Sequence, residues 1–108
     1  MTKKQVDWEA RNERTEFLAF KCRKSIIEFA SKHKHEMKIK YYVLNYPPRF
    51  FIVFTFFGVN KVTDNCLRKI QSLTTFIALQ GFKHYRRDFG DNEARYMFWL
   101  PFEDKNNE

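Results

Sequence analysis

The chain reads as an α+β protein: a two-layer sandwich in αββαββ order, with a four-stranded antiparallel sheet and two helices on one of its faces. Three observations predict this. Two stretches, 12–33 and 63–80, place apolar residues at helical spacing. Four runs, 37–46, 49–57, 82–89 and 94–102, alternate between apolar and polar residues or are continuously apolar, as strands are. These stretches follow one another as helix, strand, strand, twice over. A length of 108 residues fits a single domain spanning 1–108, with 1–10 and 103–108 expected to fray.

In the first helix, Leu18, Cys22, Ile26, Phe29 and His33 form the apolar stripe, and Ala19, Phe20, Ile27 and Ala30 widen it. No Gly or Pro interrupts it, and its Lys- and His-rich end suits the negative pole of the helix dipole. Ahead of it, Val6 and Trp8 are the only apolar side chains between Met1 and Ala10, so Trp8 is read as a tether that folds back on the body.

The first two strands form a hairpin around Pro47 and Pro48, which cannot donate to a ladder. In the first strand Met37, Ile39, Tyr41 and Val43 share one face, and Lys38, Lys40, Tyr42, Leu44 and Tyr46 share the other. The second strand is apolar on both faces, as expected of a central strand covered on both sides or facing a partner. After a turn at 58–61, Thr63 is a good N-cap for the second helix, whose stripe is Cys66, Ile70, Leu73 and Ile77, and Gly81 is placed to close it. Gly90, Asp91 and Asn92 mark the turn between the last two strands, and Pro101 marks the end of the fourth.

The two halves look like a duplication. IIEF at 26–29 aligns with LTTF at 73–76, MKIK at 37–40 with FKHY at 82–85, and RFFIVF at 49–54 with RYMFWL at 95–100, at offsets of 47, 45 and 46 residues. A right-handed crossover through the second helix leaves a gap that the fourth strand fills, giving the spatial order one, two, four, three. The two most apolar strands then lie in the centre, and the Lys- and Arg-rich ones guard the edges. The connectivity resembles a circular permutation of the ferredoxin-like fold.

Charge is unevenly spread. The net charge is +7, but residues 1–90 hold 18 Lys and Arg against 8 Asp and Glu, while residues 91–108 hold 2 against 5. A body this basic suits a polyanionic partner. With 13 Phe in a chain of this size, some rings must lie outside the core.

The helices leave one sheet face uncovered. Alternation assigns to it Lys38, Lys40, Tyr42 and Tyr46; Phe50, Ile52, Phe54 and Phe56; Arg95, Met97 and Trp99; and either Lys83, Tyr85 and Arg87 or His84 and Arg86. Rings at the centre with cations around them suit RNA or single-stranded DNA: exposed rings stack bases, and cations neutralise phosphates. On this reading Lys38, Lys40, Arg86, Arg87 and Arg95 hold phosphates, and Tyr42, Phe54 and Trp99 stack bases. The same apolar centre suits a protein partner or a second copy, as in a small inhibitor or adaptor of the kind a phage or mobile element carries. The sheet arrangement resembles that of RNA-recognition modules, but their strand motif sets Gly between aromatics, and RFFIVFTFFG has no internal glycine, so none of that family's residues are carried over.

Catalytic motifs are missing. His33 and His35 are two residues apart and His84 is distant, which is no metal-ligand spacing. Cys22 and Cys66 fall on apolar helix stripes, where a free thiol behaves as a small hydrophobe. Neither a P-loop nor GxGxxG nor GxSxG occurs. The expectation is a non-enzymatic cytoplasmic protein with no cofactor, no bound metal and no membrane segment, since the longest apolar run, 50–59, is too short to span a bilayer.

Overall fold

A computed structural model describes residues 8–101. The fold is α+β, in the order α1 (Trp8–Lys32), β1 (Met37–Leu44), β2 (Arg49–Phe56), α2 (Asp64–Leu79), β3 (His84–Phe89) and β4 (Glu93–Trp99). The four strands form one antiparallel sheet ordered β1-β2-β4-β3, as the duplication argument predicted.

Helix α1 begins earlier than its apolar stripe suggested. Trp8, Glu9 and Ala10 are helical, and Val6 lies outside the described residues. Arg11 Nη2 donates to the carbonyls of Leu100 (2.8 Å) and Pro101 (3.3 Å), fixing the start of α1 beside the end of β4. The buried stripe also extends further back than expected, through Asn12 and Thr15. Two residues assigned to it leave it: Phe20 is 68% exposed and Ile27 47%. Both lie beyond the arc that packs on the sheet, which the smaller Ala19 and Cys22 occupy at close range.

Helix α2 starts as its sequence dictates. Thr63 is extended and accepts a hydrogen bond from the Cys66 N–H (3.4 Å), satisfying one of the amides that a helix start leaves unpaired. Gly81, just beyond the helix, has φ +130°, and a Cβ there would meet Leu18 Cδ1 at 3.1 Å. The position therefore needs glycine for its backbone and also for the approach of α1. The β1–β2 hairpin turns through a cis Tyr46–Pro47 bond, with Tyr46 at φ 55°.

One cluster unites the buried side chains of both helices with alternate residues of three strands. Leu18, Cys22 and Ile26 of α1 and Ile70, Leu73 and Ile77 of α2 join Met37, Phe50, Ile52, Phe54, Phe56, Ala94, Tyr96 and Phe98. The sheet face that joins this cluster is called the inner face, and the opposite one the outer face. Helix α1 lies against β1 and β2, and α2 against β4. Strand β3 is exposed along all six residues.

Candidate functional site on the outer face

Pairing register fixes which side chains share the outer face, because partners directly opposite on neighbouring strands point the same way. Tyr42 is opposite Phe51, Phe51 opposite Met97, and Met97 opposite Arg86, so these four form a row across the whole sheet. The adjoining row is Lys40, Val53, Arg95 and Asp88. Lys38, Thr55 and Glu93 lie beyond it; Leu44 with Arg49, and Trp99 with His84, lie on the other flank. The face is an apolar and aromatic band with cations on both sides.

Tyr42 and Phe51 stack on each other, with centroids 5.0 Å apart and planes 11° from parallel. The Arg49 guanidinium carbon lies 5.7 Å from the Phe51 ring centroid, within cation–π range, and Arg49 Nε donates to the Pro47 carbonyl at 2.8 Å. The face therefore builds a three-member stack from β1 and β2. Val53, between Lys40 and Arg95, is 5% exposed, the one outer-face position in the strands that is closed to solvent.

Both acids on this face are paired at the surface. Arg95 meets Glu93 at 3.3 Å and Arg86 meets Asp88 at 3.5 Å. Exposed pairs of this kind contribute about 0–1 kcal/mol.

Six of the eight residues singled out from the sequence meet on the outer face: Lys38, Lys40, Tyr42, Arg86, Arg95 and Trp99. Phe54 does not. It is fully buried on the inner face, opposite Ile39 and Ala94, with its ring edge-on to Tyr96 at 5.9 Å. Phe50, Ile52 and Phe56 are buried with it, so the whole set assigned to the open face from β2 belongs to the core. The outer residues of β2 are Phe51, Val53 and Thr55, and Phe51 takes the place given to Phe54. Thr55 was the available signal: it is the one polar residue between Phe50 and Phe57, so its set is the one the core rejects.

Of the two sets offered for β3, His84 and Arg86 lie outside. Arg87 turns to the inner face with Tyr85, opposite Tyr96. There it borders a groove of about 500 Å³ between α2 and β3, whose walls include Leu67, Gln71, Thr74 and Ala78 and whose floor includes Tyr96. Burial pushes the Tyr96 hydroxyl pKa above its ordinary value, and the nearby Arg87 charge opposes that rise. Tyr46 lies past the end of β1 and projects from the turn, 68% exposed.

The nucleophile candidates belong to the core. Cys22 is fully buried, and burial pushes its thiol up to about 11 despite the opposing charge of Lys21, so it stays protonated. Cys66 is also buried and free. Among the described residues, no three His, Cys, Asp or Glu side chains gather as metal ligands would, and no helix is long and apolar enough to cross a membrane. Compared with known proteins, the chain matches no family model, no curated protein and no solved structure.

Proposed function

We propose that this protein is a non-enzymatic module that holds RNA or single-stranded DNA across its outer sheet face. The framework on this reading is a two-layer sandwich with the connectivity of a circularly permuted ferredoxin-like fold. The observation that carries the proposal is the aromatic and apolar row Tyr42, Phe51 and Met97 with cations on both flanks: Lys38, Lys40 and Arg95 on one side, Arg49 on the other. Bases stack against the Tyr42–Phe51 pair and on Trp99, while the basic side chains meet phosphates. Every base has a π face, so binding of this kind tolerates many sequences.

Fluorescence polarisation with a labelled mixed-sequence oligonucleotide tests this. Lys40→Glu with Arg95→Glu is expected to weaken binding at least about tenfold at about 100 mM salt, because two phosphate contacts become repulsive. Arg87→Glu, on the inner face, is expected to change it by less than about twofold, a contrast that follows from the register alone. Affinity should fall with salt at a log–log slope of about −3, the value for four phosphate contacts on a single strand. Equal effects of the two substitutions, or no binding, would sink the proposal. A partner held without salt dependence would identify the face as a protein interface instead.

A further inference from the structure

We infer that two copies of this protein associate through β3, edge to edge and antiparallel about a two-fold axis at Arg87. The inference concerns the free edge of β3, whose Arg86 and Asp88 side chains border the outer face, and does not depend on nucleic-acid binding.

Both β1 and β3 end the sheet, but they differ in how they meet solvent. In an antiparallel ladder, successive residues turn their N–H and C=O to opposite sides. The Gly90 N–H donates to the Glu93 carbonyl at 2.8 Å, so Asp88, Arg86 and His84 turn inward to β4. Tyr85, Arg87 and Phe89 then turn theirs outward, a free template for another strand. On the opposite edge, β1 (MKIKYYVL) carries Lys38 and Lys40 and no acid, so any two-fold self-pairing leaves its lysines without an opposing carboxylate. That edge is blocked by charge.

Strand β3 is instead self-complementary. The segment reads Lys83, His84, Tyr85, Arg86, Arg87, Asp88, Phe89, Gly90, Asp91. A two-fold at Arg87 sets Arg86 opposite Asp88 of the second copy, twice. It sets Tyr85 opposite Phe89, also twice, and continues with Lys83 opposite Asp91. Outer face therefore meets outer face with opposite charges, and inner face meets inner face with rings. Tyr85 and Phe89 are each 49% exposed in the single chain. An axis on Arg86, Arg87 or Asp88 sets that residue against its own copy, but only the one at Arg87 adds two Arg86–Asp88 pairs: an axis on Arg86 leaves Asp88 opposite His84, and one on Asp88 leaves Arg86 opposite Gly90. Arg87, which meets its own copy at the axis, lies opposite Tyr96 of its own chain and lines the same groove.

The helix layer leaves room for the same arrangement. Helix α2 lies over β4, and all six residues of β3 remain exposed. Pairing the edges places the two α2 helices above strands about 14 Å apart, three strand spacings. A helix with side chains is about 10–12 Å wide, so the two helices would close over the bare strands. The wall of α2 that faces the groove carries the small residues Thr74, Thr75 and Ala78, which permit that approach, and Leu79 beside them is 77% exposed.

Light-scattering mass of the full chain, without nucleic acid, tests the inference. At about 100 μM the expected mass is twice the 13.2 kDa of the chain. Arg86→Asp and Asp88→Arg each place like charges at both contacts and should weaken dimerisation at least about tenfold. Mixing these two variants restores opposite charges at both contacts and should return a heterodimer of parental strength. The double swap Arg86→Asp with Asp88→Arg should dimerise on its own. A monomeric parent, single variants that dimerise as the parent does, or a mixture that stays monomeric would each overturn the inference. Circular dichroism of the double swap separates loss of contact from loss of fold.

Discussion

Both sides of β2 carry large apolar side chains, but the two sides differ in environment. Phe50, Ile52, Phe54 and Phe56 are closed to water among residues of both helices. Phe51 and Thr55, one residue out of phase, are only partly covered, and Phe51 stacks with Tyr42 on the opposite face. Hydrophobicity places this strand in the middle of the sheet, but it does not say which side is the core. That is decided by parity, and parity here is set by the hairpin register with β1 and by Thr55.

The largest expected effect follows from breaking this contrast at two rings three residues apart. Phe54→Ala should cost about 3–5 kcal/mol in urea unfolding, because its cavity opens inside the cluster. A protein of this size has only about 5–15 kcal/mol in total, so the variant sits near the limit of folding. Phe51→Ala should cost about half as much or less and should instead reduce oligonucleotide affinity by about 1–3 kcal/mol. Equal losses of stability at both positions would remove the distinction between the faces.

A smaller effect tests how apolar the inner side must be. Thr15 of α1 is fully buried, and its hydroxyl has no hydrogen-bond partner among the described residues. Thr15→Val keeps the shape and removes the unpaired group, and should raise stability by about 1 kcal/mol in the same urea titration. An unchanged or lower midpoint would show that the hydroxyl is satisfied.

The smallest effect lies outside both faces, at Glu36. Its carboxylate accepts from His33 Nδ1 at 3.4 Å and meets Lys69 Nζ of α2 at 3.4 Å. These contacts, the His33 hydrogen bond foremost, hold its pKa below the ordinary carboxylate value. A lowered pKa stabilises the fold above the unfolded-state value, and that stabilisation is lost as pH falls through the folded-state value. Parent and Glu36→Gln should therefore differ slightly in melting temperature near neutrality and converge in acid. A gap that persists in acid would mean the carboxylate charge is not what matters.

Much of the architecture was legible in the sequence. The four strands, their spatial order, the Thr63 cap and the role of Gly81 all follow from periodicity, capping chemistry and connection rules. Most of the outer face was legible as well, because Lys38, Lys40 and Tyr42 alternate cleanly with apolar neighbours. What escaped were positions where that contrast fails. Phe54 and Phe51 carry the same side chain, Arg86 and Arg87 the same charge, and Asn12 and Thr15 are polar residues buried on a helix stripe. In each case tertiary contacts, not residue type, decide which side meets water.

The central pairing of Phe51 with Met97 carries one more consequence. The two residues are 46 positions apart, the same interval that aligns β2 with β4, so each strand meets its own counterpart at mid-sheet. The outer strands do not follow the letters. Aligning MKIK with FKHY at 45 positions sends inward Ile39 to outward His84, whereas an interval of 44 sends Tyr41 to Tyr85 and preserves both sides. An ancestral doubling of this chain is therefore to be judged by even or odd spacing before any matching of residue names.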